Sequence, residues 1–145
     1  MPHQNPGEAE LRELLASSRT IAMVGASSNP ARPSFGVMKF LLRRGFHVVP
    51  VSPNEVEVHG QRAYPSLEDI PEPVDIVDVF RRADATPPIA DAAVAIGAKA
   101  LWLQLGIASE EAAKRAKAGG LTVVMDRCIA ETTREFGINK SAAEG

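Results

Sequence analysis

A chain of 145 residues, 45% of them hydrophobic and 23% charged, has the composition of one globular domain and no room for a second large one. Sixteen Lys and Arg against eighteen Asp and Glu leave a net charge of -2, so no global positive field recruits nucleic acid or an anionic membrane, and any anion site must be local. One cysteine, Cys128, excludes an internal disulfide and a multi-cysteine metal cage and points to a reducing, cytoplasmic setting. No stretch reaches the roughly 18 apolar residues of a membrane span, and Met1 to Glu13 lacks the apolar core of a signal peptide.

In chain order, Asn5-Pro6 reads as a helix start, and Leu11, Leu14 and Leu15 share one face of a helix expected over Pro6 to Ser18. Thr20 to Val24 is apolar without alternation and stops at Gly25, which suits a strand buried on both faces of a parallel sheet. After the Gly25 to Pro33 loop, Ser34 is the expected cap of a helix ending at Gly45, with Val37, Met38, Leu41 and Leu42 on its inner face. Phe46 to Val51 is the second strand. Pro53 to Pro73, broken by Gly60, Pro65 and Pro71, reads as loop with one short strand near Arg62-Ala63 and one helical turn at Ser66 to Asp69. Val74 to Phe80 is a third strand, and Thr86 to Ile96 is a helix with Pro87 and Pro88 in its first turn. Leu101 to Gln104 is a fourth strand, Ser109 caps a helix running to Gly119, and Leu121 to Met125 is a fifth strand. The tail from Asn139 to Gly145 is expected to fray.

Strands alternating with helices predict an α/β fold: a single-domain, Rossmann-like, doubly wound parallel sheet of about five strands with an extra N-terminal helix, over residues 1–145 with its core at about 20–128. Such sheets bind ligands at the carboxyl ends of their strands. That rule selects Gly25 to Gly36, Ser52 to Glu55, Phe80 to Asp84, Gln104 to Ile107 and Asp126 to Cys128.

The first of these segments joins a buried strand to a helix N-terminus, where free N–H groups and the helix dipole favour an anion, and Ser27, Ser28 and Ser34 add hydroxyl donors. Gly25 has no second glycine until Gly36, so the G-x-G-x-x-G dinucleotide fingerprint is absent, as is a Walker A loop. A nicotinamide cofactor would further need a carboxylate or a basic group directly after the second strand. Ser52-Pro53-Asn54 stands there instead, with Glu55 beyond the proline break. Arg81 and Arg82 share an edge with Arg32, and guanidinium forks match phosphate oxygens.

Catalytic and metal-ligating groups are sparse. His3, His47 and His59 have no metal spacing and none ends a strand, Asp75 and Asp78 are expected on opposite faces of one strand, and Trp102 reads as core. Cys128 stands at the ligand edge, where Arg127 would lower its thiol pKa, but the reading favoured for it is a buried, inert cysteine. No catalytic residue and no metal site is assigned.

Taken together, Val24 to Ser27 with Asn29-Pro30, Arg32-Pro33-Ser34 and Gly36, then Pro50 to Asn54, Asp75 to Arg81, Trp102 to Gly106, and Val124 to Cys128 resemble the small bacterial CoA-binding proteins. These in turn are similar to the N-terminal CoA-binding domain of the succinyl-CoA synthetase α subunit. The resemblance spans about Thr20 to Cys128 and implies coenzyme A or an acyl-CoA as ligand. It places the pyrophosphate on Gly25, Ala26, Ser27, Ser28 and Asn29, with further contacts from Ser52, Pro53, Asn54, Phe80, Arg81, Arg82, Gln104, Leu105 and Gly106. In the synthetases a lysine after the second strand helps bind CoA phosphate. Asn54-Glu55 stands here, so Arg32, Arg81 or Arg82 is expected to supply that charge, the 3′-phosphate included. The phosphorylated histidine and ATP-grasp subunit of the synthetases have no counterpart in the 145 residues, so a binding module without turnover of its own is expected, its protein partner open. The competing readings are an NAD(P)-dependent oxidoreductase, a CoA-binding component of an acyl-CoA ligase, and a thiol sensor in which Cys128 forms a mixed disulfide with CoA.

Overall fold

The structure is a computed structural model in which residues 2–141 are described. Five strands form one parallel sheet: β1 (Thr20–Val24), β2 (His47–Val51), β5 (Ile76–Val79), β6 (Ala100–Leu103) and β7 (Thr122–Val124). Their order is β2-β1-β5-β6-β7, one of the two common doubly wound arrangements, in which the chain changes direction of winding between β1 and β5. β3 (Glu57–Val58) and β4 (Gln61–Arg62) make a separate antiparallel hairpin.

Strand side chains alternate between two apolar layers. Ile21, Met23, Ile76 and Trp102 face α1 (Glu8–Ser17), α2 (Pro33–Arg43) and α5 (Ile129–Glu135), which contribute Leu11, Leu15, Met38, Leu41 and Ile129. Ala22, Val24, Val77, Val79, Leu101 and Leu103 face α3 (Thr86–Ala95) and α4 (Glu110–Ala118), whose alanines let these helices pack closely. Each fully buried Leu, Ile or Met contributes about 1.5–3 kcal/mol relative to exposure. Trp102 is fully buried, with its indole N–H donating to the Arg127 carbonyl at 2.8 Å.

Several local expectations are corrected. α1 starts at Glu8 rather than Pro6, because Asn5 does not cap it: its side chain pairs with both backbone groups of Met125, each at 2.9 Å. That pairing, with the His3 amide donating to Glu110 at 2.8 Å, anchors the segment ahead of α1. α2 begins at Pro33 with Arg32 at its N-cap, which puts Ser34 inside the first turn. The break after β2 holds two short strands, because His59 (φ 50°) and Gly60 (φ 78°) both adopt the left-handed conformation a tight hairpin turn needs. α5 has no counterpart in the sequence reading. The tail does not fray through Ser141: the Lys140 amide donates to the Arg44 carbonyl and its ammonium to that of Ala16, both at 2.7 Å. Residues 142–145 lie outside the described residues.

Among the described residues no helix is long and apolar enough to cross a membrane.

Candidate functional site

Packing forces Gly25 at the end of β1. It has φ +88°, and a Cβ there would stand 2.5 Å from the Phe80 carbonyl oxygen and 3.1 Å from Cδ of Arg81. Only glycine lets β1 and β5 end this close together, and the closeness lays the Arg81 stem across the β1 loop. A cleft of about 920 Å³ opens at that edge, within the usual range for small-molecule sites.

Its walls come from every segment that the strand-edge rule selects. Gly25, Ala26, Ser27, Arg32 and Ser34 line it from the β1 loop and α2, and Ser52, Pro53 and Asn54 from the end of β2. Phe80, Arg81 and Arg82 follow β5, and Gln104 follows β6. Three expected residues do not reach it. Ser28 is covered by the Glu55 carboxylate, which accepts from its amide at 2.9 Å and its hydroxyl at 3.2 Å. Asn29 is exposed, its side chain accepting the Ala31 amide at 2.9 Å. Gly106, at φ +85°, donates its amide to Asp126 at 2.7 Å.

The lining also contains Leu105, as the resemblance implies, and Val37, Glu55, Ile107, Cys128 and Glu131, which were not among the assigned contacts. Leu105 is 66% exposed, a high value for a large apolar side chain. Glu55 returns to the edge because the β2–β3 loop is clamped: Ser52 donates to Tyr64, Tyr64 to Pro50 and Ala63 to Val56, all through backbone at 2.9–3.0 Å.

The donors of the β1 loop divide into engaged and open. The amide of Gly25 goes to Val51, that of Asn29 to Ser27 Oγ, and that of Arg32 to the Asn29 carbonyl. Among the described residues the amides of Ala26, Ser27 and Ser34 donate to no protein acceptor. The Ser34 hydroxyl, in a residue 3% exposed, also lacks a hydrogen-bond partner. Open donors at the N-terminus of an 11-residue helix form an anion cradle. Arg32 and Arg81 make no ion pair among the described residues, while the exposed Arg82 stands 3.5 Å from Asp84. Three arginines and two glutamates, Glu55 and Glu131, thus line the cleft.

Gln104 is buried, its side-chain oxygen accepting the Ile129 amide at 3.0 Å, which seats α5 against the sheet edge. Cys128 precedes α5 and is half-buried and free. The guanidinium of the neighbouring Arg127 is engaged with Thr132 at 2.8 Å and Glu135 at 3.1 Å. The histidines lie elsewhere. His47 pairs with Glu72, and His59 bonds the Phe35 carbonyl at 2.8 Å.

Two aspartates differ sharply. Burial pushes the Asp75 carboxyl up, but hydrogen bonds from the Thr20 and Arg19 amides, with Lys99 beside it, outweigh burial and hold it below the usual value. Asp78, in the middle of β5 between Met23 and Trp102, is fully buried without a protein donor, and that burial raises its carboxyl well above the ordinary range.

The profile of the CoA binding domain matches residues 19–133. The chain belongs to that family. It is 42% identical to YneT of Bacillus subtilis, an uncharacterised protein, over 87% of this chain and 93% of that one. A hypothetical protein of Pyrococcus horikoshii has the same fold at TM-score 0.88 and 36% identity, covering 94% of this chain and 99% of that one. An ADP-forming acetate–CoA ligase of Archaeoglobus fulgidus is 28% identical over 89% of this chain, which spans only 18% of the ligase. The chain is thus a small CoA-binding-domain protein related to the CoA-binding part of acyl-CoA ligases.

Proposed function

We propose that the cleft binds coenzyme A or an acyl-CoA and that this chain alone does not turn it over, acting as a cytosolic binding module. The observation that carries this reading is the open donor set, the amides of Ala26, Ser27 and Ser34 and the buried Ser34 hydroxyl, beside Arg32 and Arg81, which make no ion pair among the described residues. These groups suit a pyrophosphate, and a guanidinium of Arg32, Arg81 or Arg82 suits the 3′-phosphate. Ser52, Pro53 and Asn54 would border the adenosine end, while Phe80, Leu105 and Ile107 would border the pantetheine or acyl end. Bound CoA supplies a thiol that carries acyl groups as thioesters; the chain supplies orientation and charge.

A thermal-shift panel with CoA, acetyl-CoA, dephospho-CoA, NAD, NADP and ATP tests the reading. Ligand at 100 times its Kd adds about 2.7 kcal/mol, several degrees in a domain of this size. A shift with the CoA species is expected, and a shift with NAD alone overturns the proposal. Tighter binding of CoA than of dephospho-CoA, lost on changing one arginine to Ala, would identify the residue at the 3′-phosphate. Kinship to a ligase also raises a role alongside a partner chain, which co-purification of an ATP-grasp protein with this chain would reveal.

A further inference from the structure

Ser28 has the donors of a phosphate-binding residue, an amide and a hydroxyl on the loop after β1, yet both already point at one carboxylate oxygen of Glu55. That carboxylate lines the cleft, comes from the facing loop after β2, and forms no ion pair with Arg32, Arg81 or Arg82. A carboxylate accepting from an amide and a hydroxyl at once mimics a phosphate oxygen. We propose that Glu55 is a latch on the phosphate loop: it occupies Ser28 in the empty protein, and the ligand's phosphate must displace it to reach those donors. This inference rests on the reading of the cleft as a CoA site and adds the residue that sets its affinity for anions.

The latch has two effects of opposite sign. It stabilises the empty loop by filling donors that would otherwise have no protein partner, and it weakens anion binding by competition and like charge. A tie with only structural value would give the first effect without the second. A carboxylate that contacts the ligand, as one holding ribose hydroxyls would, gives the reverse of the second.

The experiment measures melting midpoints and calorimetric Kd values for the wild-type chain, Glu55→Gln and Glu55→Ala, with CoA and separately with inorganic pyrophosphate. Glu55→Ala should melt a few degrees lower without ligand, yet bind CoA about tenfold more tightly, with Glu55→Gln between the two because it keeps an acceptor but loses the charge. Pyrophosphate should show the same ranking. Unchanged or weaker CoA binding in both variants overturns the latch and leaves the CoA reading intact. If CoA binds none of the three proteins while pyrophosphate follows the ranking, the CoA reading falls and the latch stands. Binding of neither ligand to any of them overturns both.

Discussion

Replacing Asp78 by Asn tests how the sheet tolerates a carboxyl at its centre. In the folded chain this group is fully buried between Met23 and Trp102 with no protein donor, so burial holds it protonated well above its usual range. In the unfolded chain it ionises near pH 4. A raised folded value means that its stabilising contribution is fully present below the unfolded pKa and is lost as pH rises toward the folded one. The loss runs at about 1.4 kcal/mol per pH unit while the folded carboxyl stays protonated. Asn is nearly the same size and does not ionise, so both proteins should have stabilities within about 1 kcal/mol below pH 4, both side chains being neutral and equally short of partners. Above pH 4 the curves should separate, with Asp78→Asn gaining about 1.4 kcal/mol per unit. Urea unfolding at unit pH steps, followed by the fluorescence of Trp102, the single tryptophan and the cross-strand neighbour of Asp78, reads this directly. A difference independent of pH from 4 to 7 would refute the reasoning, since it would mean that the folded carboxyl titrates like an exposed one.

Ser34→Ala should leave the ligand-free protein as stable or up to about 1 kcal/mol more stable, since it removes a buried hydroxyl without a partner, while weakening CoA about fivefold in a titration. Gly25→Ala should cost at least about 2 kcal/mol in denaturant unfolding, because left-handed strain adds to a Cβ placed 2.5 Å from the Phe80 oxygen. CoA binding should fall with it, since relief of the clash moves Arg81 or the β1 loop.

The parallel sheet was legible because Thr20 to Val24, His47 to Val51 and Leu101 to Leu103 are nearly continuous apolar runs ended by turn residues, the pattern of strands covered on both faces. The strand-edge rule then found most of the cleft wall without knowledge of any side-chain position. α5 was not legible: Ile129, Thr132 and Thr133 are β-branched, no side chain caps it, and it runs only seven residues. Glu55 lies in a segment that the strand-edge rule selects, but the Pro53 break argues against it as a ribose carboxylate directly after β2. Its return depends on Val51 bridging to Tyr64, a pairing across 13 positions that local pattern does not reveal. The loop after β1 reads as a ligand segment from its place between strand and helix, but that Glu55 fills the Ser28 donors depends on a contact across 27 positions that local sequence does not show.

The clasp of Asn5 on Met125 makes the segment ahead of α1 a buttress for the ligand edge. The residue after Met125, Asp126, is held at φ 57°, receives the Gly106 amide and donates its own to Ile107, so two hydrogen-bonded steps join Asn5 to the cleft's far wall. The far wall of the cleft is therefore braced from residues more than a hundred positions away in the chain, and Asn5→Ala should loosen it, read as faster amide exchange at Gly106 and Asp126.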